Sequence, residues 1–120
     1  MLVLATVHRL APDSLHGFHL HENGDCGSSD GMSAGGHFNP DARPHGPQSG
    51  PHHAGDMPAL KADANGVASA TFLLRGVSVS EGPHSIIGKS LIVHKDPDDY
   101  TTQPTGNSGA RIACGVIVRR

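Results

Sequence analysis

Amphipathic helical periodicity is almost absent from this chain, and that excludes a helical bundle. Large apolar side chains are also scarce. Leu, Ile, Val and Phe together number 25 in 120 residues, close to the composition at which chains stop folding. Charge of one sign is lacking too: 9 Lys and Arg stand against 11 Asp and Glu, for a net charge of -2. Disordered chains combine low hydrophobicity with strong charge. The weak charge therefore points to a folded domain with a thin core, one helped by a metal or a disulfide. There is no basic run, so nothing supports nucleic acid as a partner. No apolar stretch approaches the ~20 residues of a membrane helix, so a membrane is not expected either. The opening "MLVLATVHRLAPDS" lacks a basic flank and a small-residue cleavage site and reads as a strand. Cysteine is limited to Cys26 and Cys114, two buried thiols or one disulfide. Bonded, they close a loop of roughly 90 residues, worth about 4–5 kcal/mol in the chain-entropy model.

What is present reads as strands. The pieces are Leu2–Val7, Gly17–His21, Ala59–Asp63, Val67–Leu74, Ser90–His94 and Arg111–Val118. Asn65-Gly66 falls between two of them and signals a hairpin, because both residues tolerate positive φ. The fold class is all-β, a sandwich or barrel, with residues 1–120 as a single domain. Two stretches carry no regular element. Glu22 to Pro58 holds 17 Gly, Pro or Ser in 37 residues, and Lys95 to Ala110 is the second. A loop as long as the first is uncommon in a compact domain unless it is functional or disordered.

Histidine is abundant: ten in 120 residues. In "HGFHLHENGDC", His19 and His21 alternate with Phe18 and Leu20, so a strand there puts both imidazoles on one face. His94 ends the strand "SLIVH". Three imidazoles on a sheet without a carboxylate suit copper or zinc. The long loop supplies a second set. His37, His45 and His53 are spaced eight apart and Asp56 follows three later. A Gly/Pro-rich loop cannot order itself through a core, whereas a metal that gathers these groups would order it. Three nitrogens and one carboxylate oxygen make a closed tetrahedral set that suits zinc. His8, His16, His52 and His84 read as surface histidines.

"GFHLHENGDC", "GGHFNP", "HHAGDMPAL", "IVHKDPDDY" and "TGNSGARIACGVI" resemble, in order, the signatures of copper,zinc superoxide dismutases of bacterial type. The resemblance runs from about Leu10 to Ile117. It implies an immunoglobulin-like Greek-key barrel with two long functional loops. It implies that His19, His21, His37 and His94 hold copper and that His37, His45, His53 and Asp56 hold zinc, with His37 bridging. Asp98 would join His19 to His45, Arg111 would lie beside the copper, and Cys26 and Cys114 would form the intrachain disulfide. The implied activity is dismutation of superoxide to oxygen and hydrogen peroxide, with copper redox-cycling and His37 also supplying a proton. A periplasmic or extracellular setting follows from the family and from the disulfide.

Only 15 residues precede His16, where the family usually has about three strands. The expectation is a barrel lacking its first hairpin, with an open edge that invites a second copy of the chain to form a homodimer. Two other readings compete. A zinc hydratase or hydrolase would use three strand histidines around an open zinc, but the second ligand set argues against it. A non-catalytic copper- and zinc-binding protein would keep the ligands without the turnover.

Overall fold

A computed structural model describes all residues 1–120. The chain is nearly all β, and its strands pair antiparallel. Strand β1 (Leu2–Val7) pairs with β5 (Ala68–Leu73), with Val3 opposite Phe72 and Val7 opposite Ala68. Two-residue strands β2 (Leu15–His16) and β4 (Leu60–Lys61) pair with each other. Strand β3 (Phe18–His21), β6 (Ser90–His94) and β7 (Arg111–Val116) form a three-stranded sheet with β6 in the middle. The six expected strand pieces are all found in this set, most of them shortened at the ends; β2 is additional. The Asn65-Gly66 turn is wider than a two-residue hairpin. Gly66 alone has positive φ, at 75°, and the Asp63 carboxylate accepts from the Asn65 and Val67 amides.

Alternation in β3 does what strand geometry dictates. Phe18 and Leu20 enter the hydrophobic core with Met57, Leu60, Leu74 and Val93. His19 and His21, both fully buried, point the other way. The register carries β6 into the same layer. His19 lies opposite Ile92, and the His94 amide donates to the Gly17 carbonyl at 2.9 Å. His94 therefore shares the face of His19, one step along.

The other edge of β3 is stitched to the long loop. The Leu20 amide donates to Gly55 O at 2.8 Å, Phe38 N to Leu20 O at 2.8 Å, and Glu22 N to Gly36 O at 2.9 Å. Gly55 is required there, because a Cβ would come within 2.5 Å of the Leu20 carbonyl oxygen. The loop also plants Phe38, Ala54 and Met57 in the core. This corrects the expectation that it could not order itself through apolar contact: its few large side chains sit at the points where it crosses β3.

Strands β1 and β7 each have one edge without a strand partner. Between them runs a groove of about 380 Å³ lined by Val3, Ala5 and Val7 on one side and Leu91, Val93 and Ala113 on the other.

Candidate metal centre

The backbone pairings of β3 bring loop residues to the strand histidines. His21 bridges to His37 and His19 to Asp56 along its outer edge. These two contacts carry the loop histidine and the aspartate to the strand histidines. The His19 and His37 rings stack at 4.0 Å, and His19 and His94 lie 4.8 Å apart. His19, His21, His37 and His94 offer nitrogens that all lie within 4.8 Å of one another.

The hydrogen bonds decide which nitrogens are left. His19 Nε2 donates to Asp98 Oδ2 at 2.7 Å. His21 Nδ1 donates to the Gly35 carbonyl at 2.8 Å, and His94 Nδ1 to that of Gly109 at 3.2 Å. Each bond fixes a tautomer and leaves the other nitrogen as a lone pair. Those remaining atoms, His19 Nδ1, His21 Nε2 and His94 Nε2, are buried and unpartnered, as is His37 Nε2. A buried polar atom without a partner costs about 1–3 kcal/mol. Four such atoms converging on one point fit a metal that takes imidazole nitrogen, copper among them.

The second set lies beyond His37. Asp56 Oδ1 is 2.9 Å from His37 Nδ1, 2.9 Å from His45 Nδ1 and 3.3 Å from His53 Nδ1. His37 Nδ1 and His53 Nδ1 are 3.1 Å apart. Zinc bonds to nitrogen and oxygen of ~2.0–2.1 Å give a tetrahedron with edges of about 3.3 Å, so this donor set fits zinc. The mutually close group around Asp56 holds His37, His45 and, in place of His53, His19. The Nε2 of His19 is already given to Asp98, however, and its free Nδ1 belongs to the first set. Asp98 spans both sets, since His45 Nε2 donates to its Oδ1 at 2.7 Å.

Burial sets the protonation states. It holds His37 and His94 down to about 4 and His21 to about 2, and it lowers His19 as well. Arg111 adds to the lowering of His21 and His94. His45 is also opposed by burial, but the two carboxylates that it bonds, Asp56 and Asp98, overcome this and push it up to about 9. Arg111 is half-buried on β7, and its Nη1 donates to the Gly31 carbonyl at 3.0 Å. Cys26 and Cys114 are joined by a disulfide, with Cα atoms 5.7 Å apart, which pins the start of the loop to β7.

His16 is not a surface residue. It is buried, its Nδ1 donates to the carbonyl of His94 at 2.7 Å, and its Nε2 is 2.6 Å from Ser14 Oγ. Strand β2 turns it inward, and two residues were too short a strand for alternation to reveal. His8 is exposed, His52 is half-buried, and His84 pairs on the surface with Asp41 at 2.9 Å.

Two adjoining donor sets that share one imidazole, mounted on an antiparallel β framework, define a protein built to hold a pair of metals. The chain belongs to the copper/zinc superoxide dismutase family, whose model matches residues 1–117. It is 42% identical over 122 residues to superoxide dismutase [Cu-Zn] 2 of Brassica juncea, covering 96% of this chain and 78% of that protein. It is 40% identical over 124 residues to superoxide dismutase [Cu-Zn] 1 of Aquifex aeolicus, covering 98% and 72%. Among solved structures, a SOD-like protein from Bacillus subtilis superposes with a TM-score of 0.87 at 39% identity, covering 94% of this chain and 78% of that one.

Proposed function

We propose that the chain dismutates superoxide to oxygen and hydrogen peroxide, with copper held by His19, His21, His37 and His94 and zinc by His37, His45, His53 and Asp56. The observation that carries this reading is the His37 ring. Its Nε2 is unpartnered among the strand histidines, and its Nδ1 faces Asp56 and His53. No nitrogen of that ring is left for a purely structural hydrogen bond outside the two sets.

Copper in the strand set supplies the one-electron oxidation and reduction of superoxide. The protein residues do the rest. His37 holds a proton at Nε2 when that nitrogen is free, and delivers it to the reduced anion. Asp98 accepts from Nε2 of both His19 and His45 and so turns the Nδ1 of each ring toward its own donor set. Arg111 has N–H groups beyond the one given to Gly31, and these orient a small anion and raise its rate of encounter.

Residues 1–120 act in this reading as one domain. The Cys26–Cys114 disulfide supports an oxidising compartment, periplasmic or extracellular. The free edges of β1 and β7 favour a homodimer.

The test is direct. Purified protein is loaded with one copper and one zinc, and superoxide decay is followed by its absorbance. Fast decay that disappears in His37→Ala supports dismutation. A second reading, metal binding without turnover, is favoured by the groove behind the copper strands, which reaches Phe18 and Val93, the neighbours of His19 and His94. Full metal loading with superoxide decay no faster than in buffer would establish that reading.

A further inference from the structure

The irregular stretch 95–110 does more than carry Asp98. His45 lies in "RPHGPQ", between Pro44 and the Gly46-Pro47 pair, and no strand pairs with it. Its backbone is nevertheless buried. Both of its backbone polar groups are met by one side chain from the other loop. The His45 N–H donates to Gln103 Oε1 at 2.8 Å, and Gln103 Nε2 donates to the His45 carbonyl at 2.9 Å. The same Nε2 donates to the Thr101 carbonyl at 3.2 Å, which fixes the way the amide faces. Gln103 thus replaces the neighbouring strand that His45 lacks.

The surroundings point the same way. The Tyr100 ring lies parallel to the His45 ring, 3° apart in plane and 6.4 Å between centres. Its hydroxyl accepts from the Ala59 amide at 2.7 Å, and its own amide donates to Asp98 Oδ1 at 2.7 Å. Gly106, with φ of 76°, packs so close that a Cβ would collide with Asp98 and His45. His45 is therefore gripped at its main chain by Gln103, on its face by Tyr100 and at Nε2 by Asp98. A residue flanked by proline and glycine would otherwise take its position only when a metal arrived.

We propose that Gln103 is a positioning residue for the zinc set: it holds the His45 main chain in register, so that Nδ1 faces His37, His53 and Asp56 before any metal binds. The inference rests on the reading of that set as the zinc site. It extends that reading to a residue that touches no metal. Pre-ordering raises affinity because the ordering cost is met during folding and not on binding. Coupling is reciprocal, so a bound metal also tightens the 95–110 stretch.

The experiment uses the full chain freed of metal and titrated with Co²⁺ against a competing chelator. The visible absorption of Co²⁺ reports the donor geometry. Gln103→Met keeps the length and removes both hydrogen bonds. Gln103→Glu keeps an acceptor for the His45 amide and loses the donor to its carbonyl. Two hydrogen bonds of ordinary net worth predict roughly thirtyfold weaker Co²⁺ binding in Gln103→Met. They also predict an altered Co²⁺ band, a smaller loss in Gln103→Glu, and copper affinity at the strand histidines within about twofold of the parent. Equal loss of both metals would show a general structural role and overturn the proposal. So would wild-type affinity and band shape in a folded Gln103→Met. Should Gln103→Met fail to fold, amide hydrogen exchange on the metal-free parent decides: a protected His45 amide supports the grip and a freely exchanging one overturns it. Absence of Co²⁺ binding by the parent removes the site and the role of Gln103 together. Normal parent binding with an unaffected variant removes the role of Gln103 alone.

Discussion

At the scale of single residues, environment sets charge, and charge sets the pH response. His21, His37 and His94 are held below the ordinary value of 6.5 by burial, to about 2, 4 and 4. A histidine whose folded pKa is depressed contributes stability above 6.5 and loses it as pH falls through the folded value. His45, pushed up to about 9, works in the opposite sense: its contribution is complete below 6.5 and is lost as pH rises through 9. The metal-free protein is therefore expected to melt highest near neutrality. Its melting temperature falls steeply toward pH 4, where His21, His37 and His94 act together with His19, which burial also lowers, and gently toward pH 9, where one group does. Thermal denaturation of chelator-treated protein across that range checks this, and a melting temperature that rises between pH 6.5 and 4.5 would contradict it. Arg111 acts at the same scale through its charge. Arg111→Ile is expected to slow superoxide decay roughly tenfold or more, in the range attributed to electrostatic steering, with copper content unchanged and less sensitivity to salt. An unaltered rate in the variant would remove Arg111 from the reaction. His19 and His21 were legible in the sequence because alternation in a strand needs only four residues to show. Gln103 was not, because its bonds go to a main chain 58 residues away and leave no pattern.

At the scale of elements, two long loops converge on one short strand. Strand β3 was readable from "FHLH", and β1 and β6 were read to the residue. The path of Glu22–Pro58 was not. Its order comes from amides pairing with the free edge of β3, from Phe38 and Met57 in the core, and from the disulfide. Long-range pairings of irregular backbone have no periodicity, so only the spaced ligands gave the loop away. The disulfide joins residues 88 apart in sequence, for which the chain-entropy model gives about 4–5 kcal/mol. At about 3–6 °C per kcal/mol for a domain of this size, reduction is expected to lower the melting temperature by 10 °C or more. Calorimetry with and without reductant measures it. A shift under about 3 °C would mean that the pairings to β3 hold the loop without help from Cys26 and Cys114.

At the scale of the whole molecule, the framework is open along one side. β1 and β7 each present an unpaired edge, and the groove between them exposes apolar surface that a closed barrel would cover. Leu2, Leu4, Ile112 and Val116 are all exposed on these two strands. Unpaired backbone groups beside apolar side chains are the usual template for strand addition. A second copy of this chain offers the same two edges, and the expected contact is a two-fold one, with β1 of one against β1 or β7 of the other. A stable contact of that kind buries about 800 Å² per partner. Association then stabilises the fold by mass action, so the melting temperature should climb with protein concentration. Light scattering should show the mass doubling over the same range. Leu4→Lys places a charge on the β1 edge while its side chain stays in solvent in the single chain, so it should abolish the doubling and leave the metal content of the monomer as before. A monomeric mass at every concentration, with a melting temperature that does not move on dilution, would show that the open side stays bare and that the metal sets and the loop pairings are sufficient to keep the sheets in place.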